Sequence, residues 1–284
     1  MKIVLTILIA VVALGAGRQE FDRSEKEVIT RTLQFPDGGT SRELVVDNIN
    51  GSLDVVGYEG SEIQLLVHRT SYGESPEKLR KAKEKIRLDI REEPGKIILY
   101  VDAPWRCHDG SGTYRGNEYA GYDADFDFEI KVPSRCDVAL STVNKGEVTV
   151  ENIAGAFEVS NVNGGIEMSG IAGAGVASTV NGKVNVHFRK NPGSRCGFRT
   201  VNGSIEVEVP DDLSADVKFK TFNGDMYSDF DVTGVPKQAP ALQKFGKRTV
   251  YRGGEYSSVR AGNGGPEMLF ETLNGDIRIL KSHN

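Results

Sequence analysis

Seven times along its 284 residues the chain writes the same short word. The copies are DNINGSLDV from Asp47, STVNKGEVTV from Ser141, SNVNGGIEM from Ser160, STVNGKVNV from Ser178, RTVNGSIEV from Arg199, KTFNGDMYS from Lys220 and ETLNGDIRI from Glu271. The pattern is Thr or Asn, apolar, Asn, Gly, any, apolar, any, apolar. Its Asn-Gly pairs are Asn50-Gly51, Asn163-Gly164, Asn181-Gly182, Asn202-Gly203, Asn223-Gly224 and Asn274-Gly275; the second copy inserts Lys145 between Asn144 and Gly146. From Asn144 to Asn223 the intervals are 19, 18, 21 and 21 residues. Self-similarity at a period near 20 residues marks a stacked repeat architecture.

Asn-Gly between β-rich runs is also the strongest short hairpin signal. The side-chain faces argue against a meander here. Across a two-residue hairpin, the apolar residues before Asn (Ile49, Val143, Val162, Val180, Val201, Phe222, Leu273) would lie opposite Leu53, Val148, Ile166, Val184, Ile205, Met226 and Ile277. One set would then face water. A corner that breaks the pleat lets both sets point inward. The expectation is therefore an all-β fold, a right-handed parallel β-solenoid (β-helix-like) of about 20 residues per coil, stacked about 4.8 Å apart. Its asparagines would form a ladder, and the glycines at 182, 203, 224 and 275 would take positive φ. These Asn and Gly positions are read as structural turns rather than ligand sites.

Gly accounts for 33 residues and Pro for 10. This favours many tight turns over a disordered Pro/Gly tract. Strand-like runs fill the long gap between Asn50 and Asn144: EIQLLVHR, IRLDIRE, KIILYVDA and DFDFEIKVP. One short helix is expected in this N-terminal part at SPEKLRKAKEKI, with Ser75 as cap, Pro76 in the first turn and Glu77 at the positive end of the dipole. Between Asn223 and Asn274 lies an excursion, 229–270.

Residues 1–17 carry Lys2, then an apolar run Ile3 to Leu14, then small residues. This reads as a secretory signal peptide, too short for a confident membrane span. The remaining chain divides into an N-terminal β-rich section, 18–140, and a repeat section, 141–284. With residues 1–17 removed, no membrane span remains, and the expected location is periplasmic or extracellular. The formal charge is −5, which argues against nucleic acid as a partner. Export makes a disulfide possible, and Cys107 with Cys136 is the favoured pair because they flank one loop; Cys196 would be left over.

The words resemble the DUF4097 family of bacterial β-strand-repeat proteins, whose members are often labelled adhesins. The resemblance rests on T-V-N-G-x-I-x-V, a VPS segment and the terminal GNGGPEMLFETLNGDIRIL, and spans about Phe35 to Leu280. It implies a β-helix-like fold in an exported or envelope protein, and carries over no functional residue.

The sequence offers no catalytic or metal word. His68, His108, His187 and His283 lack ligand spacing, and no GxSxG, HExxH or phosphate loop occurs. No catalytic residue, cofactor or metal is expected. One window, 102–129, is acidic and aromatic: Asp102, Asp109, Glu118, Asp123, Asp125, Asp127 and Glu129 accompany Trp105, Tyr114, Tyr119 and Tyr122. A strand would put Asp123, Asp125, Asp127 and Glu129 on one face. The alternatives for it are a solvated strand face, a Ca²⁺ site, or a carboxylate pair for glycosidic chemistry. A second cluster places Lys244, Lys247, Arg248, Arg252 and Arg260 beside Phe245, Tyr251 and Tyr256. The reading is a non-enzymatic envelope scaffold or adhesin-like surface with a protein or glycan partner. The alternatives are a polysaccharide-active enzyme and an envelope-signalling interaction module.

Overall fold

The computed structural model describes residues 21–38, 41–106, 120–235, 241–245, 248–252 and 256–282. Among the described residues the fold is all-β with one helix, and the chain divides into two units, Met1–Ala154 and Gly155–Asn284.

The first unit holds β1 (Arg23–Gln34), β2 (Glu43–Asp47), β3 (Leu53–Tyr58), β4 (Glu62–Gly73), α1 (Pro76–Lys85), β5 (Arg87–Glu93), β6 (Lys96–Asp102), β7 (Tyr122–Pro133), β8 (Asp137–Ser141) and β9 (Val148–Glu151). One sheet runs β1-β4-β7-β3-β9 and the other β8-β2-β6-β5. Two repeat words, 94 residues apart in sequence, are neighbours in space. Leu53 pairs in parallel with Val148, and Leu44 with Val138. Between them in sequence come the long antiparallel strands β4 and β7, and β1, which precedes both words, pairs antiparallel with β4.

Helix α1 is the helix read from SPEKLRKAKEKI. The Lys78 N–H donates to Ser75 Oγ (3.2 Å), and Pro76 opens the first turn. Its C-terminal carbonyls are met by a buried arginine. Arg69 Nη2 donates to the carbonyls of Ala82, Lys83 and Ile86 at 3.2, 2.9 and 2.8 Å, and its Nη1 lies 3.4 Å from Glu27. Burial lowers the Arg69 pKa, against the opposing pull of Glu27 and Glu25. A guanidinium can be buried this way because its Nη donors find acceptors, although the buried Nε has none among the described residues.

The second unit holds β10 (Phe157–Ser160), β11 (Ile166–Ile171), β12 (Gly175–Ser178), β13 (Val184–Phe188), β14 (Cys196–Arg199), β15 (Ile205–Val209), β16 (Ala215–Lys220), β17 (Met226–Ser228), β18 (Val232–Val235), β19 (Ala241–Phe245), β20 (Arg248–Arg252), β21 (Ser257–Ala261), β22 (Glu267–Glu271) and β23 (Ile277–Lys281). From β10 to β15 the strands alternate between two sheets and pair in parallel with the strand two further on. Ile166 meets Val184, Val184 meets Ile205, and Val176 meets Gly197. The cores of both sheets are aliphatic and phenylalanine-rich; Phe188, Phe198 and Phe270 are fully buried and in ring contact.

The chain order then breaks. The sheets run β11-β13-β15-β23-β17 and β18-β21-β16-β22-β14-β12-β10. The last word, at Asn274, thus lies between the fifth and sixth. Ile277 pairs with Ile205 on one side and Met226 on the other. Part of the excursion returns as β21, antiparallel to β16, with β18 antiparallel to β21; β19 and β20 form a separate hairpin. A single parallel coil in chain order therefore does not describe the whole chain.

Candidate functional site

The repeated corner is built by hydrogen bonds that close between rungs. In the second unit each asparagine amide donates to the next: Asn181 Nδ2 to Asn163 Oδ1 (2.8 Å), Asn202 to Asn181 (2.8 Å), Asn274 to Asn202 (2.7 Å) and Asn223 to Asn274 (2.7 Å). The ladder follows the spatial order, 163-181-202-274-223. Parallel backbone bridges join the same residues, Asn181 to Asn202, Asn202 to Asn274 and Asn223 to Asn274.

The glycines are dictated by contact more than by torsion. A Cβ on Gly182 would sit 2.2 Å from the Gly164 carbonyl oxygen. The corresponding distances are 1.9 Å from Gly203 to Gly182, 2.0 Å from Gly275 to Gly203 and 2.0 Å from Gly224 to Gly275. The expected positive φ is not met at Gly182 or Gly203. Gly224 and Gly275 have φ of 158° and 154°, at the extended limit. Stacked corners bring backbone against backbone, and only a residue without Cβ fits.

In the second unit the inward assignment of the residue before Asn is also corrected, whereas in the first unit Ile49 is buried, at 2% exposure. Val180 and Val201 are 38% exposed, Leu273 46% and Phe222 78%. The inward residue lies one position earlier. Thr179, Thr200 and Thr272 are buried, and each Oγ1 donates to a glycine carbonyl of the neighbouring rung: Gly164 at 2.8 Å, Gly182 at 2.9 Å and Gly203 at 3.0 Å. Thr221 does the same to Gly275 at 3.0 Å. The pleat continues undisturbed to this point, so Phe198 and Thr200 face in while Arg199 and Val201 face out. A buried hydroxyl is tolerated because it is bonded. The first position of the word, Thr or Asn, carries the signal for this role.

In the first unit the same corner has a different surrounding. Asn48 takes the inward place, fully buried, and its Nδ2 lies 2.9 Å from the Phe126 carbonyl. Asn144 Nδ2 donates to Asn50 Oδ1 (3.3 Å), and Asn50 Nδ2 donates to Asp123 Oδ1 (3.0 Å). Thr142 Oγ1 donates to the Gly51 carbonyl (2.9 Å), and a Cβ on Gly146 would strike the Gly51 backbone. Lys145, the inserted residue, sits in the left-handed region at φ 62°. Its Nζ lies 2.8 Å from Asp125 Oδ1 and 3.2 Å from Asp123 Oδ2.

The acidic row of β7 therefore has partners along its length. Asp127 Oδ1 accepts from the Ser52 N–H (2.9 Å) and hydroxyl (3.1 Å), and Glu129 lies 3.2 Å from His68 Nε2. Burial raises the Asp125 pKa against the pull of Lys145. Tyr72, hydrogen-bonded to Asp125, is pushed up to about 12, first by burial and then by the Asp125 charge. Burial pulls Lys145 down, but its bond to Asp125 and the two carboxylate charges leave its pKa raised. Lys145 and Tyr72 are members of this cluster that the acidic pattern alone did not reveal. No group of three metal-ligating side chains occurs among the described residues.

The remaining candidates are dispersed. Cys107, His108, Asp109, Tyr114, Glu118, Tyr119, Lys247 and His283 lie outside the described residues, and so does the proposed Cys107–Cys136 link. Cys136 is a buried free thiol whose pKa burial pushes up to about 12; Cys196 is likewise buried and free. Of the basic-aromatic cluster, Arg260 pairs with Asp216 (2.8 Å), and the Tyr256 hydroxyl donates to Glu271 (3.0 Å). In the first unit an open groove of about 610 Å³ is lined in part by Thr32, Gln64, Leu66, Asp54, Val56 and Lys131. It follows the outer face of neighbouring strands.

Parallel-paired sheets and repeated Asn-Gly corners define the described residues as an all-β repeat fold. Residues 130–251 match the family model described as Toastrack DUF4097, the family that the repeat words resemble. No curated protein matches the sequence. Among solved structures the chain is similar to a "putative cell adhesion protein" from Clostridium sporogenes, at 14% identity and TM-score 0.40, over 92% of this chain and 100% of that one. It is also similar to a "putative adhesin" from Bacteroides fragilis, at 10% identity and TM-score 0.38, over 90% and 97% of the two chains.

Proposed function

We propose that this chain is an exported, non-enzymatic repeat protein that presents a binding surface in the bacterial envelope, as a scaffold or adhesin. In this reading residues 1–17 direct export, and the mature protein acts in the periplasm or outside the cell. Residues 18–140 form the β-rich N-terminal section, and 141–284 the repeat section with its excursion at 229–270. The stretch from β10 to β15 is read as right-handed coils of about 20 residues.

The observation that carries the proposal is the outward stripe of Val180, Val201, Leu273 and Phe222 beside the asparagine ladder. Large apolar side chains set outward in a row, rather than scattered singly, mark interaction surfaces. Of the acids that could serve a polysaccharide enzyme, Asp123, Asp125 and Asp127 are instead engaged with Asn50, Lys145 and Ser52. This supports a structural role for them.

The test joins localisation, binding and turnover. Mature protein should begin near Arg18 in an extracytoplasmic fraction, bind envelope material, and leave envelope polysaccharides uncleaved. Recovery of Met1 from cytosolic protein would remove export. Polysaccharide hydrolysis or elimination lost in Asp123→Asn, Asp125→Asn or Asp127→Asn would establish the enzyme reading instead.

A further inference from the structure

The corner of the second unit combines two regular features on the same rungs. In Asn181, Asn202 and Asn274 the ladder uses one N–H and one carbonyl lone pair, so each exposed amide keeps one donor and one acceptor for an outside group. Immediately before these asparagines stand the outward residues Val180, Val201 and Leu273, and Phe222 extends the row on the next rung. Nothing in the fold requires an apolar residue there. Thr and Gly make the corner, and Phe222 at 78% exposure contributes little to a core.

Resting on the binding-surface reading above, we propose that this corner binds a neutral, linear polysaccharide. Its ring faces lie on Val201, Leu273 and Phe222, and its hydroxyls bond the amides of Asn181, Asn202 and Asn274. A sugar hydroxyl both donates and accepts, which is what a half-used amide offers. The apolar C–H face of a pyranose ring suits an aliphatic and aromatic row. Charge favours an uncharged ligand. The stripe itself is neutral, and three ion pairs lie on its rungs: Arg199 with Glu271 at 3.6 Å, and Arg278 with Glu206 at 3.6 Å and with Asp276 at 3.5 Å. A partner β-strand fits less well. The corner's backbone is already paired, Gly182 N to Asn202 O at 3.0 Å and Gly203 N to Asn274 O at 2.9 Å, so strand addition finds no open edge there. Five rungs at strand spacing span about 19 Å, a length that a polymer of identical units can follow.

The experiment is calorimetric titration of the mature full chain with hexamers of β-1,4-linked glucose and of N-acetylglucosamine, their dimers, and a galacturonate hexamer. The comparison protein carries Val201→Ser, Leu273→Ser and Phe222→Ser together. These side chains are outward, so its melting temperature should stay near wild type. The expected result is saturable binding of a neutral hexamer, weaker binding of its dimer, and at least a tenfold loss in the triple variant. Absence of binding by both neutral hexamers, tighter binding of the galacturonate, or equal binding by the variant overturns the proposal. Envelope binding that persists in the triple variant rejects the corner and keeps the broader reading. Envelope binding abolished by protease treatment of the envelope fraction replaces the glycan with a protein. If the mature chain binds no envelope material at all, the broader reading fails too.

Discussion

The corner at Asn50 in the first unit and the corner at Asn181, Asn202 and Asn274 in the second are written in nearly the same word, yet one is covered and the other bare. Ile49 is 2% exposed and Asn50 6%, whereas Val201 is 38% exposed and Leu273 46%. The difference comes from what runs alongside. In the first unit β7 passes next to β3, the Phe126 N–H donates to the Asn50 carbonyl (2.8 Å), and Asp123 receives the Asn50 amide. In the second unit the neighbour of each corner is another corner, whose outer residues face solvent. The word therefore specifies how the chain turns, while the inserted strands decide whether the outside of the turn becomes core or surface.

The largest effect should follow from breaking what both corners share. Gly203→Val would push a β-branched Cβ against the Gly182 carbonyl oxygen, 1.9 Å away in the present geometry. A loss of about 3 kcal/mol, the upper range for overpacking, is expected in urea unfolding. An unchanged midpoint would show that the rungs are not stacked this closely.

Next come the two inward polar residues, which should separate the units from the outer asparagines. Asn48→Ala removes a fully buried amide and leaves the Phe126 carbonyl without that donor; a cost of about 2 kcal/mol is expected. Thr200→Val keeps the shape but deprives the Gly182 carbonyl of its hydroxyl donor, at about 1 kcal/mol. Asn202→Ala, on the exposed ladder, should cost less than either. Equal losses from Asn48→Ala and Asn202→Ala in chemical denaturation would erase the contrast between covered and bare corners.

The smallest effect is the ionic one peculiar to the first unit. The Lys145 side chain is 47% exposed, so solvent screens its pairs with Asp123 and Asp125, and Lys145→Met should cost less than about 1 kcal/mol. The sign with pH is fixed by linkage. The Lys145 pKa is raised above its ordinary value of 10.5. Its contribution is therefore complete below that value and is lost as pH climbs through the folded pKa. The stability gap between wild type and Lys145→Met should be constant from pH 7 to 9 and shrink above about 10.5. A gap that widens with alkalinity would contradict the assignment.

Much of this was legible in the sequence. The corners, the helix with its Ser75 cap, and the one-sided row of acids on β7 all follow from short-range rules of turn chemistry, capping and period-two alternation. Two things were not. The facing of Val201 depends on where the pleat breaks, and the alternation of β14 runs on through Thr200 and Val201 before the corner. A threonine can take the inward place because its hydroxyl meets a carbonyl of the next rung, a partner invisible in a single word. The insertion of the last word between the fifth and sixth was also hidden. Nearly identical rungs pair equally well in any order, so local sequence does not encode which rung lies beside which.

The central claim is that the second unit's corners turn threonine inward and the following apolar residue outward. The most direct measurement compares thermal and urea unfolding of Val201→Asp with Ile205→Asp, two apolar-to-acid changes four residues apart on the same rung. Ile205 is fully buried, so its variant should be severely destabilised, as an unpaired charge in a packed core must be. Val201→Asp should stay within about 0.5 kcal/mol of wild type, as surface changes do. Comparable collapse of both variants would contradict the account and return Val201 to the core.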